Sequence, residues 1–216
     1  MVMEVRKAIY TRWSARGFLP KAVEDTLITE TLGAAIQAPS ACNMQPWEFI
    51  VVKGEAKEFL VRALLSAYNK ERRPSRARTS LPKKYKDRMQ TLFEAIKPFA
   101  EKTPGFDIWE GSLSFYGAPV VIIVAKDKQI AHLRLLDIGL AVQNLILMAQ
   151  TMGLGTCPIG VAVRYEDVIK EVLHLPDELE LALTIALGYP DSSLPINEFR
   201  ASRVDLKDCV RWIDRV

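Results

Sequence analysis

Residues 10–18 read YTRWSARGF. Successive side chains of an extended chain point to opposite sides, so Arg12, Ser14 and Arg16 share one face of this segment. Two guanidinium groups with a hydroxyl between them form a grip for phosphate or another anion, because Arg offers permanently charged, fork-shaped donors. Taken alone, the same segment also reads as a solvated basic turn. It follows residues 1–11, where Val2, Val5 and Ile9 fall on one face of a short helix.

Outward from this segment, the apolar pattern alternates between helical and strand periods. Residues 23–37 recur at helical spacing through Val23, Leu27, Ile28, Leu32, Ala35 and Ile36, with Glu24 and Asp25 in the first turn and Pro39 as the stop. Residues 47–53 (WEFIVVK) predict a mostly buried strand, and residues 55–68 return to a helix. Residues 118–125 (APVVIIVA) form the β-branched apolar run of a central strand. Residues 133–152 predict a long helix, apolar on nearly every side, which belongs inside the molecule or in a subunit interface. A short helix at residues 165–174 and a strand at residues 181–187 follow, and residues 199–216 form a mixed tail. The order of elements gives an α+β protein, a sheet flanked by helices.

Two further polar patches interrupt apolar structure. Residues 38–47 read APSACNMQPW. Their two prolines fix a loop that offers Ser40, Asn43 and Gln45 as uncharged donors and acceptors, suited to the amide-like edge of a heterocycle. Equally, this is a helix-to-strand connection whose Ser and Asn satisfy their own backbone. The third patch is Gln143 in the long helix, read as a buried amide that needs partners, together with residues 153–160 (GLGTCPIG). These glycines predict a turn whose backbone approaches a flat ligand closely. GxGxxG is absent, and the glycines follow a helix instead of opening one.

Composition limits what these patches can mean. The 216 residues fit a single domain, 1–216, and 49% hydrophobic with 25% charged residues excludes a disordered chain. Cys42, Cys157 and Cys209 are far apart and form no CxxC pair, and His132 and His174 are the only histidines, so neither a metal site nor a disulfide framework is expected. Buried or inert thiols are expected instead. Residues 138–163 contain no charged residue, but their four glycines and Pro158 read as a buried helix followed by a turn, not a membrane span. Glu4, Arg6 and Lys7 interrupt any leader-like run, so a cytoplasmic location is expected. No nucleophile elbow, Walker loop or metal-binding helix motif is present. Ligand-shaped patches without acid-base or metal equipment imply that a cofactor carries the reaction.

With these motifs in hand, the chain resembles the nitroreductase-like flavoproteins over nearly its whole length. Arg12, Ser14 and Arg16 match the family's N-terminal FMN motif. The loop at residues 38–47 is similar to its A-P-S-S-x-N-x-Q-P-W segment, and residues 137–145 (DIGLAVQNL), the glycine-rich turn and Arg203 follow in family order. The resemblance implies a mostly antiparallel central sheet flanked by helices, in an intertwined homodimer with FMN sites at its interface. It further implies that Arg12, Ser14 and Arg203 hold the FMN phosphate, with Trp13 beside them. Arg16 faces the flavin N1/O2 side, and Gln143 the pyrimidine edge. Pro158, Ile159 and Gly160 face the N5/O4 side, and Pro39, Ser40 and Asn43 come from the partner subunit. Ala41 stands where the family has a second serine, and Ala201 where a basic residue often precedes the late arginine, with Arg200 as the available substitute.

The implied activity is ping-pong electron transfer from NADH or NADPH through flavin N5 to nitroaromatic, quinone or similar conjugated small-molecule acceptors. The alternatives are a specialised flavin-dependent reductive dehalogenase and a non-catalytic FMN-binding protein. Residues 69–112 read as a lid insertion. Nine bases crowd residues 69–88 (Lys70, Arg72, Arg73, Arg76, Arg78, Lys83, Lys84, Lys86 and Arg88), as a solvated lid face, an attractor for the NADPH 2′-phosphate or a patch for an anionic macromolecule. With few aromatics among these bases, no nucleic-acid partner is expected, and no membrane.

Overall fold

The strand predicted from residues 118–125 becomes the centre of the molecule. In the computed structural model, which describes residues 3–71 and 81–214, the chain runs through α1 (Val5–Thr11), α2 (Asp25–Ala35), β1 (Glu48–Lys53), α3 (Gly54–Glu71), α4 (Lys83–Lys102) and α5 (Ile108–Leu113). It continues through β2 (Val120–Asp127), α6 (Leu135–Thr151), β3 (Gly155–Ile159), α7 (Glu166–Leu173) and β4 (Leu179–Gly188). The strands form one antiparallel sheet in the order β1-β2-β4-β3.

Both faces of β2 are covered, so its sequence is a continuous apolar run. Val121, Ile123 and Ala125 pack toward α3 and α7 with Leu60, Leu64 and Ile169. Val120, Ile122 and Val124 pack toward α2 and α6 with Ile28, Leu145 and Ala149. Each buried Val, Leu or Ile among them contributes about 1.5–3 kcal/mol, and a one-residue slip of β2 would exchange the two faces.

Several expectations need correction. Residues 47–53 form an edge strand, of which only Val52 is fully buried, because β1 has a neighbour on one side only. The predicted turn at residues 153–160 is mostly strand β3; Gly153, at φ 75°, closes α6 in the left-handed conformation, and the sheet begins two residues later. The first helix starts at Val5, and Val5 and Ile9 are exposed; Met1 and Val2 lie outside the described residues, as do Arg72, Arg73, Arg76 and Arg78 of the basic stretch. Cys157 is buried as expected, but Cys42 and Cys209 are exposed.

Helix α6 explains a further departure. Ile138, Ala141, Val142, Leu145, Ile146 and Ala149 face the sheet, and the helical period turns Leu136, Leu140 and Gln143 outward. Gln143 is therefore exposed, not buried. With its preceding turn, His132–Thr151 is long and apolar enough to cross a membrane by length and composition, yet its inner face is built into the sheet packing.

Candidate active site

The segment after α1 becomes an extra ribbon on the free edge of β3. Ser14 bridges Thr156 in parallel, and the Ala15 amide donates to the Thr156 carbonyl at 2.9 Å. Gly155 permits this approach: a Cβ there would stand 2.6 Å from Pro190 Cγ and 2.9 Å from Ala15 Cβ. On its other side the ribbon is pinned by Asn197, 5% exposed. The Asn197 Oδ1 accepts from the Arg16 amide at 2.8 Å, and its Nδ2 donates to the carbonyls of Gly17 at 2.8 Å and Asp191 at 2.9 Å. Pro158 is tolerated in β3 because this is an edge strand without a regular outer ladder.

The ribbon separates two clefts. The larger, about 710 Å³, is lined by Arg12, Trp13, Ser14, Arg16, Arg200 and Arg203, with Tyr10, Gln150 and Phe199 around them. Four arginines converge here, and no carboxylate stands among the described lining. Among the described residues the only arginine ion pair, Arg134–Asp137, lies elsewhere. Burial, followed by the charge of Arg203, holds the Arg12 guanidinium below its ordinary pKa, so the two cations repel across the cleft. Arg200 stacks over the Trp13 ring at 4.1 Å, and the buried Trp13 Nε1 has no hydrogen-bond partner. Arg200 thus joins the cleft that its neighbour Ala201 also lines without charge.

Arg16 lines the smaller cleft as well, about 260 Å³, together with Pro158, Ile159 and Gly160 of the β3 end. Its outer walls are Phe93 of α4, Ile108, Trp109 and Ser112 of α5, and Tyr116. A Cβ built on Gly160 would meet nothing within 4 Å, so the backbone there is open to a flat ligand. Cys157 also lines this cleft. Burial pushes its thiol up to about 11, while Arg16, Ser14 and Arg12 pull the other way, so it stays protonated at neutral pH. The chemistry on offer is anion binding, hydrogen bonding and an apolar slot, with no activated nucleophile.

Of the residues singled out in the sequence, Arg12, Trp13, Ser14, Arg16, Pro158, Ile159, Gly160 and Arg203 meet at these two clefts. Pro39, Ser40, Asn43 and Gln143 line neither. The loop bearing the first three is tied to the start of α6, where the Asp137 carboxylate accepts from the Ala41 amide at 3.4 Å. The larger cleft lies at the other end of α6, beside Gln150. Thirteen residues (150 − 137) of α-helix separate the two, about 20 Å along the axis. Sequence reading missed Asn197 and Ser112: Asn197 is 181 residues from the amide it holds, and no local pattern marks it.

Known proteins share this fold. The Nitroreductase family model matches residues 9–189. The chain is 33% identical over 202 residues to 4-nitrobenzoate reductase of Pseudomonas putida, covering 90% of this chain and 89% of that protein. To nitrobenzene nitroreductase of Ectopseudomonas oleovorans it is 30% identical over 224 residues, covering 95% of each. Among solved structures, the FMN-dependent nitroreductase NfnB from Mycobacterium smegmatis in complex with NADPH superposes with a TM-score of 0.87 at 27% identity, covering 96% of this chain and 97% of that one. With most of its length matched by the family model and the arginine ribbon placed against the glycine-opened strand end, the chain belongs to the nitroreductase family.

Proposed function

We propose that this protein is an FMN-dependent NAD(P)H oxidoreductase that reduces nitroaromatic, quinone or similar conjugated acceptors. The observation that carries the reading is the convergence of Arg12, Arg16, Arg200 and Arg203 on one cleft without a carboxylate in its described lining. Repelling cations in a shared cleft call for a polyanion, and a phosphate dianion answers both their charge and their fork-shaped donors. The donor set fits FMN in two more respects: Trp13 Nε1 is buried without a partner, and the backbone at Gly160 is open where a flat ring would lie. The relatives named for 4-nitrobenzoate and nitrobenzene reduction support the acceptor class.

In this reading Arg12, Ser14 and Arg203 hold the phosphate, with Arg200 as a fourth cation. Bound FMN supplies two-electron transfer between a nicotinamide reductant and the acceptor. Arg16 stands at the junction of the two clefts and presents a fixed guanidinium where negative charge collects on reduction, an interaction strengthened in a partly desolvated site. Pro158, Ile159 and Gly160 present backbone to the ring edge. Phe93, Ile108 and Trp109 wall the smaller cleft, which supports the described part of residues 69–112 as a lid on a single domain, 1–216; residues 72–80 of that segment lie outside the described residues.

The separation of Pro39, Ser40 and Asn43 from the arginine cleft supports a homodimer in which these residues complete the partner's site. The outward stripe of α6 suits that interface: Leu136 is 66% and Leu140 48% exposed, with Gln143 one turn on. Such a stripe favours burial against a second copy. Dependence on NADH or NADPH fits a cytoplasmic enzyme. Purified protein should be yellow, release FMN on denaturation, bleach anaerobically with NADH or NADPH, and recolour with 4-nitrobenzoate. A colourless protein that takes up no FMN overturns the proposal.

A further inference from the structure

Tyr116 is held more tightly than packing alone requires. Phe115, Tyr116 and Gly117 occupy the left-handed backbone region in succession, at φ 54°, 53° and 76°. For the two side-chain-bearing residues this is a strained conformation that the surrounding packing must hold. The Tyr116 ring stacks on Phe106 with centroids 6.0 Å apart and planes 8° from parallel. Its other side demands a glycine at position 111, where a Cβ would stand 2.6 Å from the ring. Backbone strain, a ring stack and an obligatory glycine together fix one hydroxyl at the wall of the smaller cleft.

The hydrogen bonds around that hydroxyl have a defined direction. Ser112 Oγ donates its single proton to the Ile108 carbonyl at 2.6 Å. The Tyr116 hydroxyl proton points to the same inward pair, Ser112 Oγ at 2.9 Å and the Ile108 carbonyl at 3.4 Å. With its proton committed inward, the phenol oxygen has lone pairs left for the cleft, and the neighbouring cation there is Arg16. Burial, then the neighbouring Cys157 thiol, pushes the Tyr116 hydroxyl up, while Ser112 and the Arg16 guanidinium on the same cleft wall pull it down. The phenol stays neutral at physiological pH, with its lone pairs toward the cleft wall that it shares with Arg16. Arg16 Nη1 also donates to the Ser14 carbonyl at 3.2 Å.

We propose that Tyr116 is a positioning residue: its oxygen, oriented by Ser112, accepts from the Arg16 guanidinium and fixes where that cation points. Arg16 would otherwise swing between two clefts, and a guanidinium is useful to developing charge only where it is held before the charge appears. The inference rests on the reading that Arg16 stabilises reduced FMN.

The test is the two-electron midpoint potential of FMN in the holoenzyme, by anaerobic dye equilibration, for the wild type, Tyr116→Phe, Ser112→Ala, Arg16→Ala and the Tyr116→Phe/Arg16→Ala pair. Tyr116→Phe should lower the reduction equilibrium constant about tenfold, which is about 30 mV for a two-electron couple. Ser112→Ala should act in the same direction by less, and it carries the test if Tyr116→Phe does not fold. In the Arg16→Ala background, Tyr116→Phe should change nothing further. A potential moved by Arg16→Ala but by neither Tyr116→Phe nor Ser112→Ala overturns the positioning role alone. An equal effect of Tyr116→Phe in both backgrounds overturns it too, since tyrosine would then act without arginine. A potential unmoved by Arg16→Ala removes the underlying reading of Arg16.

Discussion

The Arg16 amide donates to Asn197 Oδ1 at 2.8 Å across 181 residues of chain, and the same amide side chain donates to the Gly17 and Asp191 carbonyls. One buried asparagine thereby fixes the ribbon that carries Arg12, Ser14 and Arg16. Asn197→Ala strands a donor and two acceptors in a site where each unsatisfied group costs about 1–3 kcal/mol. A loss of about 3 kcal/mol is expected, read as a fall of about 6–12 °C in Tm for a chain of this size. FMN affinity should fall with it. A variant that melts with the wild type would mean that the ribbon is held by the β3 edge alone.

If Arg12 and Arg203 hold the FMN phosphate as proposed, they should make opposite contributions with and without ligand. Their mutual repulsion is a small liability in the empty protein and an asset around a phosphate. Arg203→Ala should weaken FMN binding by about 1.5–3 kcal/mol, roughly 10- to 150-fold. The same change should leave the Tm of FMN-free protein level or slightly higher. Isothermal titration and melting of stripped protein read the two quantities separately. A lower apo Tm with unchanged affinity would make Arg203 structural.

Two glycines divide stability from binding in the same way. Gly155→Ala pushes its methyl into Pro190 and Ala15, and such overpacking costs about 1–3 kcal/mol. Gly160→Ala meets open space in the free protein, so its Tm should match the wild type while FMN affinity drops. Equal affinity in Gly160→Ala would place the ring elsewhere.

The element order, the central strand and the gathering of Arg12, Ser14 and Arg16 on one cleft were legible because each is local: a period, a β-branched run, an alternation of Arg and Ser. What the sequence hid is non-local. Gln143 reads as buried inside an apolar helix, and only the sheet's position shows that Leu136, Leu140 and Gln143 share the outer face. The strand in residues 153–160 was masked by glycines and a proline that an edge strand tolerates and a central one does not. Asn197 and Ser112 carry no motif, since their partners are fixed by tertiary contacts and by a strained turn at Phe115 and Tyr116.

The outer face of α6 predicts the assembly. Leu140→Asp places a charge in the exposed apolar stripe and should leave the protomer's inward packing intact. In the proposed homodimer it should shift the protein toward monomer in sedimentation. FMN should be lost in parallel, because Pro39, Ser40 and Asn43 of one copy would no longer reach the arginine cleft of the other. A monomeric wild type that binds FMN would contradict the shared site.

Cys157 sets a pH dependence. Its thiol is raised by burial to about 11 in the folded chain, against an ordinary thiol value of about 8.5. Between those values the unfolded chain releases a proton that the folded chain retains, so stability is full below the ordinary value and is lost as pH rises through about 11. Cys157→Ala should be less stable at neutral pH, through a small cavity, but should show a shallower alkaline loss than the wild type. Accessibility gives an independent check. In native protein at pH 8, a thiol reagent should modify the exposed Cys42 and Cys209 and spare Cys157 until denaturant is added. Rapid native modification of all three thiols would show that the β3 strand opens far more readily than its packing between Ala15 and the sheet allows.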